Sequence, residues 1–159
     1  MQAGFDAGAE VRRLGVARDT LPDLLALVRE GVAWADVVVL SGGVSVGAHD
    51  HVKAAFSDVG TLDVWRVAIK PGRPFAFARA SVGGRSVRLF GLPGNPVSVF
   101  VTFELFVRPA LLAMQGAARI HRPRIEVVLT DRYDKRPGRV HYVRASLRQQ
   151  GGGLEATPL

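Results

Sequence analysis

The sequence predicts an α/β domain with a largely parallel sheet, followed by a short β module. Three observations carry this. Residues 35–43, ADVVVLSGG, form a continuous apolar run, the composition of a strand buried on both faces. Strand-like and helix-like segments alternate from residue 9 to residue 116. Beyond residue 117 the helical periodicity stops, and short alternating runs between turn residues take over.

The elements follow in order. Residues 9–16, AEVRRLGV, alternate apolar and polar and read as a strand. In residues 21–34, Leu21, Leu24, Leu25, Leu27 and Val28 make a helical stripe, with Thr20 as cap and Pro22 in the first turn. The apolar strand at 35–43 runs into glycines, and residues 50–60 read as a short helix stopping at Gly60. Residues 61–69, TLDVWRVAI, are strand-like, 70–74 form a loop, and 75–92 read as a hairpin turning at Gly83-Gly84. Residues 95–116 read as one long apolar helix, capped by Asn95 with Pro96 at its first position. The remainder is expected to hold two or three antiparallel strands of a separate module, with QQGGG at 149–153 as a hairpin turn. So little sheet is not expected to stand alone.

Composition narrows the function. The chain has 159 residues, 48% of them hydrophobic, which suits one domain of ordinary size with a small appendage. The absence of cysteine excludes disulfides and thiolate metal sites and is compatible with a reducing cytoplasm. Lys and Arg outnumber Asp and Glu by 21 to 14, which favours anionic partners. Interleaved aromatics and a contiguous basic stripe are lacking, so no nucleic-acid partner is expected. Charges or glycines interrupt every apolar run, and the first residues lack a basic-then-apolar leader, so no membrane partner is expected either.

Several loops could carry chemistry. SGGVSVGAHD at 41–50 follows the apolar strand and offers Gly42, Gly43 and Ser45 as an anion cradle, although a tight strand-to-helix turn also explains its glycines. Asp19 and Asp50 both fall just after predicted strands, where α/β sheets bind ligands, and each also suits a capping or turn role. Two carboxylates there could share a Mg²⁺ with substrate phosphates. His49 and His51 flank Asp50, but neighbouring helix positions do not face each other, so they are poor ligand candidates. WRVAIKPGRP at 65–74 supplies Arg66, Lys70 and Arg73. Arg66 and Lys70 lie an even number apart and would share a strand face, and the prolines stiffen the loop for oxyanion binding. In LFGLPGNPVS, the cap and first-turn roles explain Asn95 and Pro96, while Pro93 and Gly94 exceed what a simple turn needs. Two stiff glycine-bearing loops in one sheet suggest one shared pocket.

Taken together, SGGVSVGxxD, KPGxPF and GLPGNPVS, in that order and spacing, resemble the MoeA family of molybdopterin molybdenumtransferases, also represented by the E domain of gephyrin. GVARDT upstream and PGRVHYVRA downstream also fit, so the resemblance covers nearly the whole chain. It implies a three-layer molybdopterin-binding domain with a mostly parallel sheet over residues 1–117, lacking its first strand. Part of a small β-barrel-like domain is implied over 118–159. The implied reaction inserts molybdenum from molybdate into adenylylated molybdopterin, releases AMP and requires Mg²⁺. By motif position Asp19, Asp50, Arg66 and Lys70 correspond to active-site residues, with Asp19 and Asp50 as metal ligands. Gly42, Gly43, Ser45, Arg73, Pro93, Gly94, Asn95, Pro96 and Arg144 correspond to substrate-binding positions. Arg73 replaces a common lysine, exchanging a point charge for a fork. The two N-terminal domains of full-length members and a strand ending in TGDE are not in this sequence. The chain therefore reads as a fragment, expected to pair with itself as a homodimer or with a complementing fragment. The other readings are a non-catalytic pterin-binding scaffold and an activity like that of the related adenylyltransferases, whose GGTG-type loop differs from the GGVSVG here.

Overall fold

Residues 2–44, 51–135 and 137–159 are described in the computed structural model of this chain. Its first part contains α1 (Gln2–Asp6), α2 (Leu21–Trp34), β1 (Val37–Ser41), α3 (His51–Val59), β2 (Thr61–Trp65), β3 (Ile69–Lys70), β4 (Ala76–Val82) and β5 (Arg85–Leu92). Four strands form the main sheet, in the order β1-β5-β4-β2. β1 runs parallel to β5, and β4 runs antiparallel to both β5 and β2. Three of the four strands thus share one direction, and the sheet is mostly parallel, with β4 reversed by its hairpin. That hairpin turns on Gly83 and Gly84, with φ of 58° and 80°, the two positive values that a two-residue turn between twisted strands requires.

Alternation along the strands builds two cores. Ala76, Ala78, Ala80, Val87 and Leu89 lie on one face, where small alanines let α2 and α3 approach with Leu24, Val28, Val32, Val52 and Phe56. Phe75, Phe77, Phe90 and Leu92 serve the other face. There they meet a continuous helix made of α4 (Pro96–Thr102), a π turn (Phe103–Val107) and α5 (Arg108–Met114). Helices on both faces give the three layers. Burying a side chain such as Phe56 or Leu89 stabilises the fold by about 1.5–3 kcal/mol.

The sequence reads 95–116 as one unbroken helix; the π turn is the departure. Pro109 cannot donate to the carbonyl four residues back and its ring would strike it, so the backbone widens and Arg108 N–H donates to Phe103 O instead. This helix, Pro96–Met114, is also long and apolar enough by length and composition to cross a membrane, contrary to the sequence expectation that charges interrupt every such run. Its only interruptions are Glu104 and Arg108, 4.0 Å apart, and its inner residues Thr102, Val107 and Pro109 are buried. Its inner face packs on the phenylalanine face of the sheet, while most of its residues are only partly buried or exposed.

Helix α2 begins and ends as its sequence demands. Thr20 Oγ1 accepts the Asp23 N–H at 3.4 Å. At the other end the Arg85 guanidinium donates to the carbonyls of Val32, Ala33 and Ala35, which lack partners inside the helix. Arg85→Ala is expected to lower stability by about 1–2 kcal/mol, measured by urea unfolding, because those charge-assisted bonds tie the helix end to the hairpin.

Two expected strands depart from the sequence reading. Residues 9–16 form no strand: they carry no ladder pairing, although β1 at the sheet edge is hydrogen-bonded only to β5 among the described residues. Residues 61–69 do not form one strand: β2 ends at Trp65, and Arg66 adopts φ of 75°.

The remaining strands are β6 (Val128–Leu129), β7 (Val140–His141), β8 (Ala145–Gln150) and β9 (Gly153–Pro158). β8 and β9 form the expected hairpin, turning at Gly151 and Gly152, and β6 adds in parallel to β9. The expectation of wholly antiparallel strands does not hold. β7 pairs in parallel with β3, where Val140 N–H donates to Ala68 O and Tyr142 N–H to Lys70 O. Loop carbonyls on one side thereby satisfy amide donors on the other.

Candidate functional site

The end of β1 and the end of β5 meet. Gly42 N–H donates to Leu92 O at 3.0 Å, and Ser41 Oγ donates to Pro93 O at 3.5 Å. A Cβ on Gly94 would lie 3.6 Å from Gly42 Cα, so the glycine loop and the LPGNP loop run side by side. Pro93 is buried, while Gly43, Gly94, Asn95 and Pro96 are exposed along this rim. Asn95 Oδ1 accepts the N–H groups of Val97 and Ser98, at 3.0 and 3.2 Å, and Pro96 occupies the first turn. The cap aims α4 from this junction.

The 66–75 loop closes on itself. Arg66 N–H donates to Phe75 O at 2.7 Å and Val67 N–H to Arg73 O at 3.1 Å. These bonds hold Arg66 in the left-handed region that a non-glycine residue seldom adopts. The break also overturns the expectation that Arg66 and Lys70 share one strand face, because residues 66–68 are not in a strand. The loop leans on α4: a Cβ on Gly72 would come within 2.7 Å of Thr102 Cγ2. The Lys70-Pro71 peptide is cis.

Lys70 and Arg144 share a cleft of about 190 Å³, between the 66–75 loop, the first turn of α4 and the β module. Pro71, Val97, Tyr133, His141, Tyr142, Val143 and Leu159 complete its wall. Among the described residues no Asp or Glu lines it, the one acidic group in its wall being the terminal carboxyl that Leu159 carries, and neither Lys70 nor Arg144 makes an ion pair with a described residue. Many other arginines are neutralised, including Arg12 by Glu30, Arg29 by Asp58, Arg79 by Asp63 and Arg122 by Glu104. The electrostatics of the cleft are visible in His141. Partial burial, then Lys70, Lys135 and Arg139, hold its imidazole below the ordinary histidine value. Two unpaired cations of different geometry facing one space with aromatic walls can hold a small oxyanion or a phosphate.

The sequence-derived residues divide among these places. Lys70 and Arg144 meet in the cleft. Gly42, Gly43, Pro93, Gly94, Asn95 and Pro96 form the glycine–proline rim, joined to the cleft through Val97 of α4. Arg66 and Arg73 anchor the closed loop, with exposed side chains. Asp19 is exposed just before the Thr20 cap and makes no hydrogen bond or ion pair with a described residue. Ser45 and Asp50 lie outside the described residues. Among the described residues no group of three His, Cys, Asp or Glu could hold a metal ion, and Asp19 contributes a single carboxylate. That is short of a Mg²⁺ donor set, so no step is derived through that ion.

The sequence reading missed Tyr133, His141, Tyr142 and Leu159 as cleft residues. The alternation in VHYVR was a local signal that some of these side chains share a face, but the β3–β7 pairing that turns them toward Lys70 is non-local.

Comparison with known proteins bears on this arrangement. Residues 1–113 match the family described as "Probable molybdopterin binding domain", and residues 126–159 match "MoeA C-terminal region (domain IV)". The chain is 38% identical over 136 residues to a molybdopterin molybdenumtransferase of Haemophilus influenzae, covering 85% of this chain and 33% of that protein. It is 36% identical over 156 residues to the molybdopterin molybdenumtransferase of Bacillus subtilis, covering 98% of this chain and 35% of that protein. A solved structure of a molybdopterin biosynthesis MoeA protein from Pyrococcus horikosii superposes with a TM-score of 0.70 at 30% identity, over 99% of this chain and 36% of that one. The chain thus spans about a third of the length of these relatives.

Proposed function

This chain belongs to the MoeA family of molybdopterin-binding proteins, and from that premise we propose that it acts in molybdenum cofactor biosynthesis, holding molybdate against adenylylated molybdopterin. The reaction is insertion of molybdate-derived molybdenum into the pterin dithiolene, with AMP released and the phosphoanhydride broken. The carrying observation is that Lys70 and Arg144 both line one cleft into which no Asp or Glu among the described residues enters. A tetrahedral dianion can accept from a flexible ammonium and a planar guanidinium together. The rim of Gly42, Gly43, Ser45, Pro93 and Gly94 is assigned to the pterin phosphate, its backbone approachable because side chains are absent at the glycines. Asp19 and Asp50 are assigned to the Mg²⁺ that the family resemblance implies, and Arg66 and Arg73 to the outer phosphates. The cytoplasm is the compartment this reading implies.

Mixing the chain with adenylylated molybdopterin, molybdate and Mg²⁺ tests it: molybdate-dependent release of AMP is expected. A second reading rests on the span of a third of the relatives' length. In it the chain binds the pterin nucleotide without turnover, as a scaffold. Saturable substrate binding with no AMP, unaffected by Asp50→Ala, would select that reading.

The partner is proposed to be a second copy or a complementing fragment. Among the described residues β1 has one ladder neighbour, Val39 on it is 44% exposed, and residues 9–16 form no strand. An unpaired strand edge is a template for another strand. Sedimentation of the purified chain is expected to show self-association that is relieved by a strand-forming peptide. A monomer with a single sharp thermal transition contradicts this.

A further inference from the structure

His141 stands in the cleft without a role in the reading above. Its Cα is paired with that of Lys70 across the parallel β3–β7 ladder, so both side chains leave the same side of that ladder. Both line the cleft, as does Arg144 three residues on. Tyr133 Oη lies 3.3 Å from His141 Nδ1, with the rings edge to face at 6.3 Å between centroids. This contact fixes the ring and leaves Nε2 without a partner among the described residues. The charged and titratable groups around it come from every side. β3 supplies Lys70, the preceding segment Tyr133 and Lys135, and the β7 segment Arg139, Tyr142 and Arg144, whereas α4 brings only Val97 and the residue after β9 brings Leu159, which carries the terminal carboxyl of this chain. The nearest carboxylate in sequence, Asp134, is held by Arg132 at 2.8 Å.

We infer that His141 is a proton-gated third cation of the oxyanion cleft, joining Lys70 and Arg144 when an anion is bound and standing neutral when the cleft is empty. The inference rests on the oxyanion reading of that cleft. Without an anion, burial and the neighbouring cations disfavour the imidazolium. A bound dianion reverses the sign of the local field, so the protonated form becomes favourable just where the anion sits. By linkage, anion binding takes up a proton, and affinity rises as pH falls through the slightly acidic range.

The test is calorimetric titration of the full chain with molybdate, and separately with sulfate, which does not itself titrate there. The titrations run between about pH 8 and about pH 6, around the ordinary histidine value. Wild type is expected to bind both ions more tightly at the lower pH, up to about tenfold per pH unit for one linked proton. His141→Gln is expected to lose that slope, and His141→Lys to bind at both pH values with the slope removed. NMR of the imidazole is expected to show its titration moving to higher pH when sulfate saturates the cleft. Oxyanion binding with an equal slope in wild type and His141→Gln overturns the inference and leaves the cleft reading intact. No oxyanion binding by wild type at any pH overturns both.

Discussion

Replacing Lys70 by Met is expected to raise the Kd for molybdate by roughly 10- to 100-fold, corresponding to the 1.5–3 kcal/mol of a hydrogen bond to a charged partner. Met keeps most of the stem, and the Lys70 side chain is exposed at the cleft, so the fold loses little. The backbone contribution also survives, because Lys70 serves the β3–β7 ladder through its carbonyl, which accepts the Tyr142 N–H. Only the ammonium disappears. Arg144 then faces the dianion with only the pH-dependent help of His141, and its fork does not replace the lost ammonium. Thermal unfolding measured beside the titration separates the two effects: an unchanged midpoint with weakened binding assigns the loss to the charge. Lys70→Arg is expected to restore part of the affinity.

The largest expected effect on stability lies away from the cleft, at Gly60. This residue ends α3, donating its N–H to Phe56 O at 3.0 Å, and leads into β2. A Cβ there would overlap the carbonyl of Arg79 on β4 and lie 3.0 Å from Ala80 Cα. The obstacle is backbone in the middle of the sheet. Arg79 is paired with Arg88 in the β4–β5 ladder and with Thr61 in the β2–β4 ladder, and its side chain bonds Asp63 at 2.8 Å. Nothing in that set can move without breaking a ladder. Gly60→Ala is therefore expected to cost about 3 kcal/mol or more, at the upper end of overpacking effects. Gly83→Asn in the hairpin turn is the matched control. It meets open space and a turn type that accepts asparagine, and is expected to stay within about 1 kcal/mol of wild type. Urea unfolding of the two variants side by side reads the difference.

What could be read from the sequence was local in its physics. Helix α2 needed only its leucine stripe, Thr20 and Pro22, and it spans the residues so assigned. The hairpin at Gly83-Gly84 and the Asn95–Pro96 start of α4 are likewise decided within a few residues. The three motifs also placed the glycine loop, the KPGRP loop and the LPGNP loop after strands, and the structure joins the first and third directly through Gly42 and Leu92.

The rest depended on neighbours distant in sequence. Residues 9–16 carry strand alternation, but alternation supplies no partner, and they remain unpaired. The strand expected over 61–69 breaks because Phe75 O and Arg73 O capture the amides of Arg66 and Val67, contacts that close only when the loop folds. The π turn answers Pro109, whose missing donor was in plain view but whose remedy could have been a kink. Most consequential for the site is the pairing of Lys70 with His141: it brings a motif of the α/β domain and a segment of the β module into one wall, and no local pattern announces it.

The account stands on the claim that Lys70 and Arg144 grip one anion together. A double-mutant cycle on molybdate binding, with Lys70→Met, Arg144→Met and the pair, measures this directly. If both cations hold the same ion, the double variant is expected to depart from the sum of the singles by more than about 0.5 kcal/mol, since side chains sharing a partner are coupled. Losses that add within that margin, or a wild-type chain whose molybdate affinity neither single substitution alters, would contradict it.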